Sequence, residues 1–333
     1  MTALTLQVWR AAAAAGGMAA VLLAWAAPAP AQPAAPAGAH WDEAMPAGAN
    51  YQTAEFRLWL PPGAGAARAV LVLTPGSNGD GRAAVDDPAW QAFAARERVA
   101  LIGVHLADKP PRGFIEQYID VKRGSGEALL TAIAHLGQRA GHPELAAAPL
   151  LLWGMSAGGE FNYEFVAWKP ERVAAFIVNK GGVYYSGILN DAARNTPGLL
   201  FTGEADMLSR TGIVSGLFMM NRRAGALWGY VQEKGLAHVE GHSPELARAF
   251  FSAVLARRLP PGAGALQALS PDSGFIGDPK TGEIRPARPG EAPDQTSAWL
   301  PSAEAARAWA EVAKAPAPAS GGVAEPVAGP PPR

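Results

Sequence analysis

The stretch Pro149-Leu150-Leu151-Leu152-Trp153-Gly154-Met155-Ser156-Ala157-Gly158-Gly159-Glu160 decides how this sequence is read. Residues 150–153 are apolar throughout, as expected of a short strand buried on both faces of a parallel sheet, and Gly158-Gly159-Glu160 opens a helical pattern. Ser156 therefore falls at a strand-to-helix turn. Only small neighbours at Gly154 and Gly158 let strand and helix approach closely enough to lift its hydroxyl clear. The bare five-residue spacing also arises by chance in an Ala- and Gly-rich chain, so the flanking strand and helix carry the argument.

Outward from this turn, apolar runs recur at Phe56–Leu60, Ala69–Thr74, Val99–Val104, Ala174–Asn179, Leu199–Thr202 and Leu227–Gln232. Helical spacings of three and four lie between them at Ala89–Arg98, Ser125–Arg139, Gly159–Trp168 and Pro244–Arg258. The alternation predicts an α/β fold, a doubly wound and mostly parallel sheet with helices on both faces and no large lid domain. Ser243-Pro244 marks the last helix, with serine as cap and proline at the first helical position.

With 49% hydrophobic residues in 333, the chain can bury a sizeable core. Lys and Arg number 28 against 29 Asp and Glu, without a basic cluster, so nucleic acid is not an indicated partner. Cysteine is absent, which removes disulfides and thiolate nucleophiles and leaves hydroxyl chemistry as the covalent route. Arg10, the apolar Ala11–Ala27 and the small residues Ala29-Pro30-Ala31 read as an export signal cleaved after Ala31, in place of a membrane anchor. The mature chain is then secreted or periplasmic, without membrane insertion. Residues 32–50 read as a Pro/Ala-rich linker, 51–260 as the main domain, 261–312 as an extension packed on it, and 313–333 as a disordered tail.

A serine hydroxyl needs a histidine to take its proton and a carboxylate to orient that histidine. Asp206 follows the Leu199–Gly203 run and is the expected acid, with Glu204 in reserve. Among six histidines, His40 lies in the lead-in, His135 and His142 lie within or just after the helix before the elbow strand, and His105 precedes the serine. His238 and His242 remain, both between the last strand and the last helix. His238 is preferred because Gly235-Leu236-Ala237 leaves it on the loop, whereas His242 abuts the helix start. The spacing His238-Val239-Glu240-Gly241-His242 does not suit zinc, since Glu240 is central and Gly241 interrupts a helix. Backbone donors for an oxyanion are expected from Ala157 and from the Pro75-Gly76-Ser77-Asn78-Gly79 loop, with Ser77 first and Asn78 in reserve. That loop lacks the lysine and hydroxyl residue of a phosphate-binding loop. Tyr184 and Tyr185 read as pocket walls or as surface packing.

Elbow serine, acid after a late strand and histidine after the last strand occur in an order that resembles the α/β-hydrolase superfamily, over Tyr51–Leu259. Thr74-Pro75-Gly76-Ser77 and Gly154-Met155-Ser156-Ala157-Gly158-Gly159 resemble exported esterases around the polyhydroxybutyrate depolymerases, dienelactone hydrolases and polyester hydrolases. The resemblance implies hydrolysis of a small or oligomeric ester through an acyl-enzyme on Ser156, without metal or cofactor. A peptidase or acyltransferase on the same residues, and a non-catalytic binding or scaffold protein, are the alternatives.

Overall fold

The computed structural model describes residues 38–63, 65–261 and 265–317. In chain order the elements are β1 (His40–Met45), β2 (Thr53–Trp59), β3 (Ala69–Thr74), α1 (Pro88–Glu97), β4 (Val99–Ala107), α2 (Ser125–Ala140), β5 (Leu150–Gly154) and α3 (Ala157–Trp168). They continue with β6 (Val173–Asn179), α4 (Asp191–Arg194), β7 (Gly198–Gly203), α5 (Leu208–Arg223), β8 (Trp228–Glu233) and α6 (Ser243–Arg258). After α6 come β9 (Phe275–Gly277), β10 (Ile284–Pro286), β11 (Ala298–Leu300) and α7 (Ala303–Lys314).

Eight strands form one sheet in the order β1-β2-β4-β3-β5-β6-β7-β8. The β1–β2 and β2–β4 pairs are antiparallel, and every pair from β4 to β8 is parallel. Because side chains alternate along a strand, each central strand feeds two cores. Val70, Val72, Leu150, Leu152, Phe176 and Val178 pack with α2 and α3 on one face. Leu71, Leu73, Leu151, Trp153, Ile177 and Phe201 pack with α1, α6 and α7 on the other. The helix after β3 and the helix after β5 thus leave the sheet on opposite faces. The carboxyl ends of such neighbouring strands are the position where open α/β sheets hold their ligands.

Two elements correct the sequence reading. Residues 40–45, inside the segment read as a linker, form edge strand β1, in register from His40 opposite Trp59 to Met45 opposite Ala54. Its alternation of exposed and half-buried residues is masked by the surrounding Pro and Ala. At α6, the first helical carbonyl is that of His242, which accepts from Leu246 N–H at 3.0 Å, so Ser243 lies inside the helix and does not cap it. Its hydroxyl instead accepts from Asn179 Nδ2 at 2.7 Å. The export-signal reading of residues 1–31 lies outside the described residues, as does most of the segment read as a tail.

Beyond α6, β9 pairs with β10 and β11 in a small antiparallel sheet. Ser302 caps α7 by accepting from Ala305 N–H at 3.1 Å. Trp309 of α7 is fully buried in the same core as Leu246 and Phe250 of α6, and its indole N–H donates to the Tyr230 carbonyl on the outermost strand β8 at 2.9 Å. This covers a sheet edge that would otherwise template further pairing. Trp309→Ala is expected to cost about 3–5 kcal/mol, through the cavity and the orphaned carbonyl, read as a lower urea midpoint with little change in slope. A loss under about 1 kcal/mol would mean the extension is not integral to the domain.

Candidate active site

Strand β5 delivers Ser156 in a backbone conformation that serine rarely adopts, φ 53° and ψ −124°. Such a conformation costs on the order of 1–3 kcal/mol and persists only where the surroundings impose it. Here Ser156 N–H donates to the Asn179 carbonyl at 2.8 Å and Met155 N–H to the Thr74 carbonyl at 3.1 Å, fastening the turn to both neighbouring strands. The glycines have steric causes. A β-carbon at Gly158 would lie 2.2 Å from the Thr74 oxygen, and one at Gly154 would lie 2.3 Å from the Gly158 carbonyl. Neither position admits a side chain.

The loop after β3 comes against this turn, since a β-carbon at Gly76 would sit 3.6 Å from that of Ser156. Among the described residues, the N–H groups of Ser77 and Ala157 have no acceptor. Asn78 N–H is occupied, donating to the Tyr118 hydroxyl at 3.1 Å. The Asn78 side chain accepts from Asp108 N–H at 2.8 Å, and Asp108 in turn accepts from Gln117 and Tyr118 N–H. Asn78, at φ 53°, therefore braces the loop from behind and leaves Ser77 N–H free.

Asp206, beyond β7, is buried and meets His238 from beyond β8, with Asp206 Oδ2 and His238 Nδ1 2.9 Å apart. Gly203 permits the approach: a β-carbon there would lie 2.4 Å from the Leu236 carbonyl and 2.6 Å from that of Ala237. Asp206 Oδ1 accepts from Met207 N–H at 2.7 Å and from Arg210 Nη1 at 2.6 Å. Burial works to raise the Asp206 pKa, but the bonds from His238 and Met207 and the nearby cations outweigh it, so the carboxyl stays ionised below its usual range. For His238 the balance falls the other way. Burial, helped by the Arg210 and Lys180 charges, lowers its pKa despite Asp206, so the ring is neutral at pH 7. With Nδ1–H directed to Asp206, Nε2 carries the free lone pair. Among the described residues no hydrogen bond joins Ser156 Oγ to that nitrogen, an interaction often long until substrate is bound.

The other candidates find different partners. Glu204 accepts from Gly235 N–H at 2.8 Å and steadies the loop after β8 without touching either histidine. His242 pairs with Glu233, through its ring at 3.0 Å and its backbone N–H at 2.6 Å. His40, His105, His135 and His142 each meet a carboxylate elsewhere, Asp86, Glu55, Glu43 and Glu144 respectively. Tyr184 packs its ring against Tyr163 at 4.9 Å, whereas Tyr185 is 55% exposed.

Sequence reasoning missed two groups of polar residues. On α3, Glu160 accepts from Gly182 and Val183 N–H, and Glu164, one turn on, accepts from Tyr185 and Ser186 N–H. These clamps fix the loop after β6. Their signal was a pair of glutamates four apart on a mostly apolar helix. The second group, Asn179, Lys180 and Glu233, carried no comparable signal, because its members lie at the ends of two separate strands.

Glu160 is buried, its Oε2 has no partner, and desolvation pushes its pKa up to about 7 despite the two backbone donors. A carboxyl raised in the folded state binds more protons there than in the unfolded chain, so stability falls as pH rises. The cost is absent below the ordinary value of 4.5, grows between there and about 7, and is complete above. Glu160→Gln keeps an acceptor for the loop and removes the ionisation. It is expected to gain up to ~3 kcal/mol relative to wild type at pH 8, and nothing from this source at pH 4.5. Urea midpoints at the two pH values measure this, and a pH-independent difference would contradict the reading.

The strand order, the elbow after β5 and the acid and histidine beyond β7 and β8 define the architecture. The chain has the α/β-hydrolase fold. A poly(3-hydroxybutyrate) depolymerase, LpqC, from Bordetella parapertussis superposes with a TM-score of 0.50 at 15% identity, over 64% of this chain and 90% of that one. An esterase of Pyrobaculum calidifontis gives 0.47 at 14% identity, over 66% of this chain and 85% of that one. Poly(aspartic acid) hydrolase-1 from Sphingomonas sp. KT-1 gives 0.47 at 12%, over 64% and 98%. No protein-family model matches this α/β-hydrolase-fold chain, and no curated protein matches its sequence.

Proposed function

We propose that this chain is an exported serine hydrolase that cleaves a carboxylic ester through an acyl-enzyme on Ser156. The observation that carries the reading is the 2.9 Å bond between buried Asp206 and His238, in a protein whose elbow holds Ser156 at φ 53°. In the proposed reaction His238 Nε2 takes the Ser156 proton as Oγ attacks the substrate carbonyl. Asp206 holds the ring in the required tautomer and offsets its positive charge. The oxyanion lies between the N–H groups of Ala157 and Ser77, both without an acceptor among the described residues, at the amino end of α3 where the helix dipole favours negative charge. His238 then returns its proton to the departing alcohol, activates a water and regenerates Ser156. Ester hydrolysis by this route needs no cofactor.

Proposed export rests on residues 1–31, whose removal gives a mature chain beginning near Gln32. The substrate is a small or oligomeric ester. A short p-nitrophenyl ester is expected to release a burst of nitrophenol stoichiometric with enzyme, followed by slower turnover. Absence of both burst and turnover across esters, lactones and amides would favour the non-catalytic binding protein. Faster cleavage of amides than of esters would favour a peptidase.

A further inference from the structure

Lys180 is fully buried at φ 55° immediately after β6, a conformation and location equally unusual for lysine. Its Nζ is bonded to Glu233 at the end of β8 and to Asn179 Oδ1 at 3.1 Å. Glu233 is itself buried, and its Oε1 accepts both the backbone N–H and the ring Nδ1 of His242. Gly241, at φ 58°, lets the chain rest on this carboxylate, because a β-carbon there would lie 2.4 Å from Oε1. Asn179 completes the set: its Nδ2 donates to the Glu240 carbonyl at 2.9 Å and to Ser243 Oγ at 2.7 Å, while its own carbonyl accepts from Ser156 N–H. Residues 240–243 are thus seated on a polar platform that also grips the backbone of the elbow.

We propose that Asn179, Lys180 and Glu233 are positioning residues, a buried charged platform that fixes the loop carrying His238 relative to Ser156. The proposal rests on the esterase reading for its catalytic consequence, but not for its structural one. Both ends of the span matter. The Asp206 bond fixes the ring of His238, whereas the platform fixes the backbone just beyond it. A buried ion pair costs desolvation and is retained where directional bonds specify one arrangement, and neutral hydrogen bonds alone would hold a glycine-containing loop less firmly. The pair Lys180–Glu233 is compensated as a unit, so removing one partner strands a buried charge while removing both does not.

The test combines amide hydrogen exchange with kinetics. In the wild-type protein the His242 amide is expected to exchange at least ~100-fold more slowly than an unstructured amide, since its acceptor is buried. Exchange at the unstructured rate would overturn the proposal without any variant. Lys180→Met and Glu233→Gln are each expected to accelerate exchange at residues 236–243 at least tenfold while the central strands remain protected. They should lower kcat at least ~100-fold with KM within about threefold, because a displaced base weakens the transition state more than substrate binding. The double variant Lys180→Met with Glu233→Gln is expected to recover at least tenfold in kcat over the weaker single variant. If the single variants fail to fold, the double variant carries the comparison with wild type. Unchanged loop exchange and unchanged kcat in folded variants would overturn the proposal. Failure of the esterase reading looks different: no wild-type turnover, with the loop amides still protected and still released by the substitutions.

Discussion

His238→Ala is expected to lower ester turnover by about four to six orders of magnitude, whereas His242→Ala lowers it less than tenfold. The two residues are four apart on one loop, yet their surroundings differ in kind. His238 Nδ1 faces a buried carboxylate that already accepts from Met207 N–H and Arg210, which fixes the imidazole in one tautomer and orientation. Its lowered pKa keeps it unprotonated and able to accept a proton at pH 7, so the acid limb of kcat/KM falls below the ordinary histidine value of 6.5. His242 meets Glu233 with a ring that is 45% exposed, and its backbone N–H to the same carboxylate survives truncation. Its loss should cost roughly a kcal/mol of stability or less. A larger fall in turnover for the His242 variant, with both proteins folded, would exchange the roles.

Ser156→Ala is expected to show a loss of the same size and to remain folded. The two losses should not add, because serine and base act as one unit: the double variant with His238→Ala should be about as slow as either single variant. Alanine retains the side-chain volume at the turn apart from one oxygen, and the bonds that hold the elbow are made by its backbone N–H to Asn179 and by Met155 N–H to Thr74. Its melting temperature should therefore lie within a few degrees of wild type. Turnover within tenfold of wild type in this variant would show that the covalent step is elsewhere.

The sheet was legible where burial is complete. Strands β3, β5, β6 and β7 are buried at every residue and read as apolar runs with polar residues only at or next to their carboxyl ends, and the elbow was legible because its glycines answer to a steric requirement. Edge strand β1 was not, since one face is solvated and its pairing depends on backbone bonds to β2 that no residue type announces. Helix α5 was hidden for the opposite reason. It exposes Leu208, Ile213, Met219 and Met220 while burying Asn221 and Arg222, so its polarity runs against its packing. Arg222 is tolerated inside because its guanidinium donates to the carbonyls of Ala226 and Ser297.

At the site, the sequence order of strand ends narrowed the acid to Asp206 or Glu204 and the histidine to His238 or His242, because a doubly wound sheet gathers those ends at one edge. It is the fold that brings Asp206 and His238 to 2.9 Å. The Lys180–Glu233 pair was not readable in this way. Its members are 53 residues apart, and each closes an apolar run where a charged residue normally signals return to solvent. Arg210 was missed likewise: it lies in the first turn of helix α5, which the sequence did not reveal, and only the fold shows it donating to Asp206 at 2.6 Å.

The most direct test of the central claim is peptide-level mass spectrometry after reaction of the native protein with a fluorophosphonate, which modifies a serine only where base and oxyanion donors activate it. The prediction is one stoichiometric adduct, on Ser156, formed rapidly in the wild type and lost in both the Ser156→Ala and His238→Ala variants. No adduct on the folded wild-type protein, or an adduct on a different serine, would contradict the account.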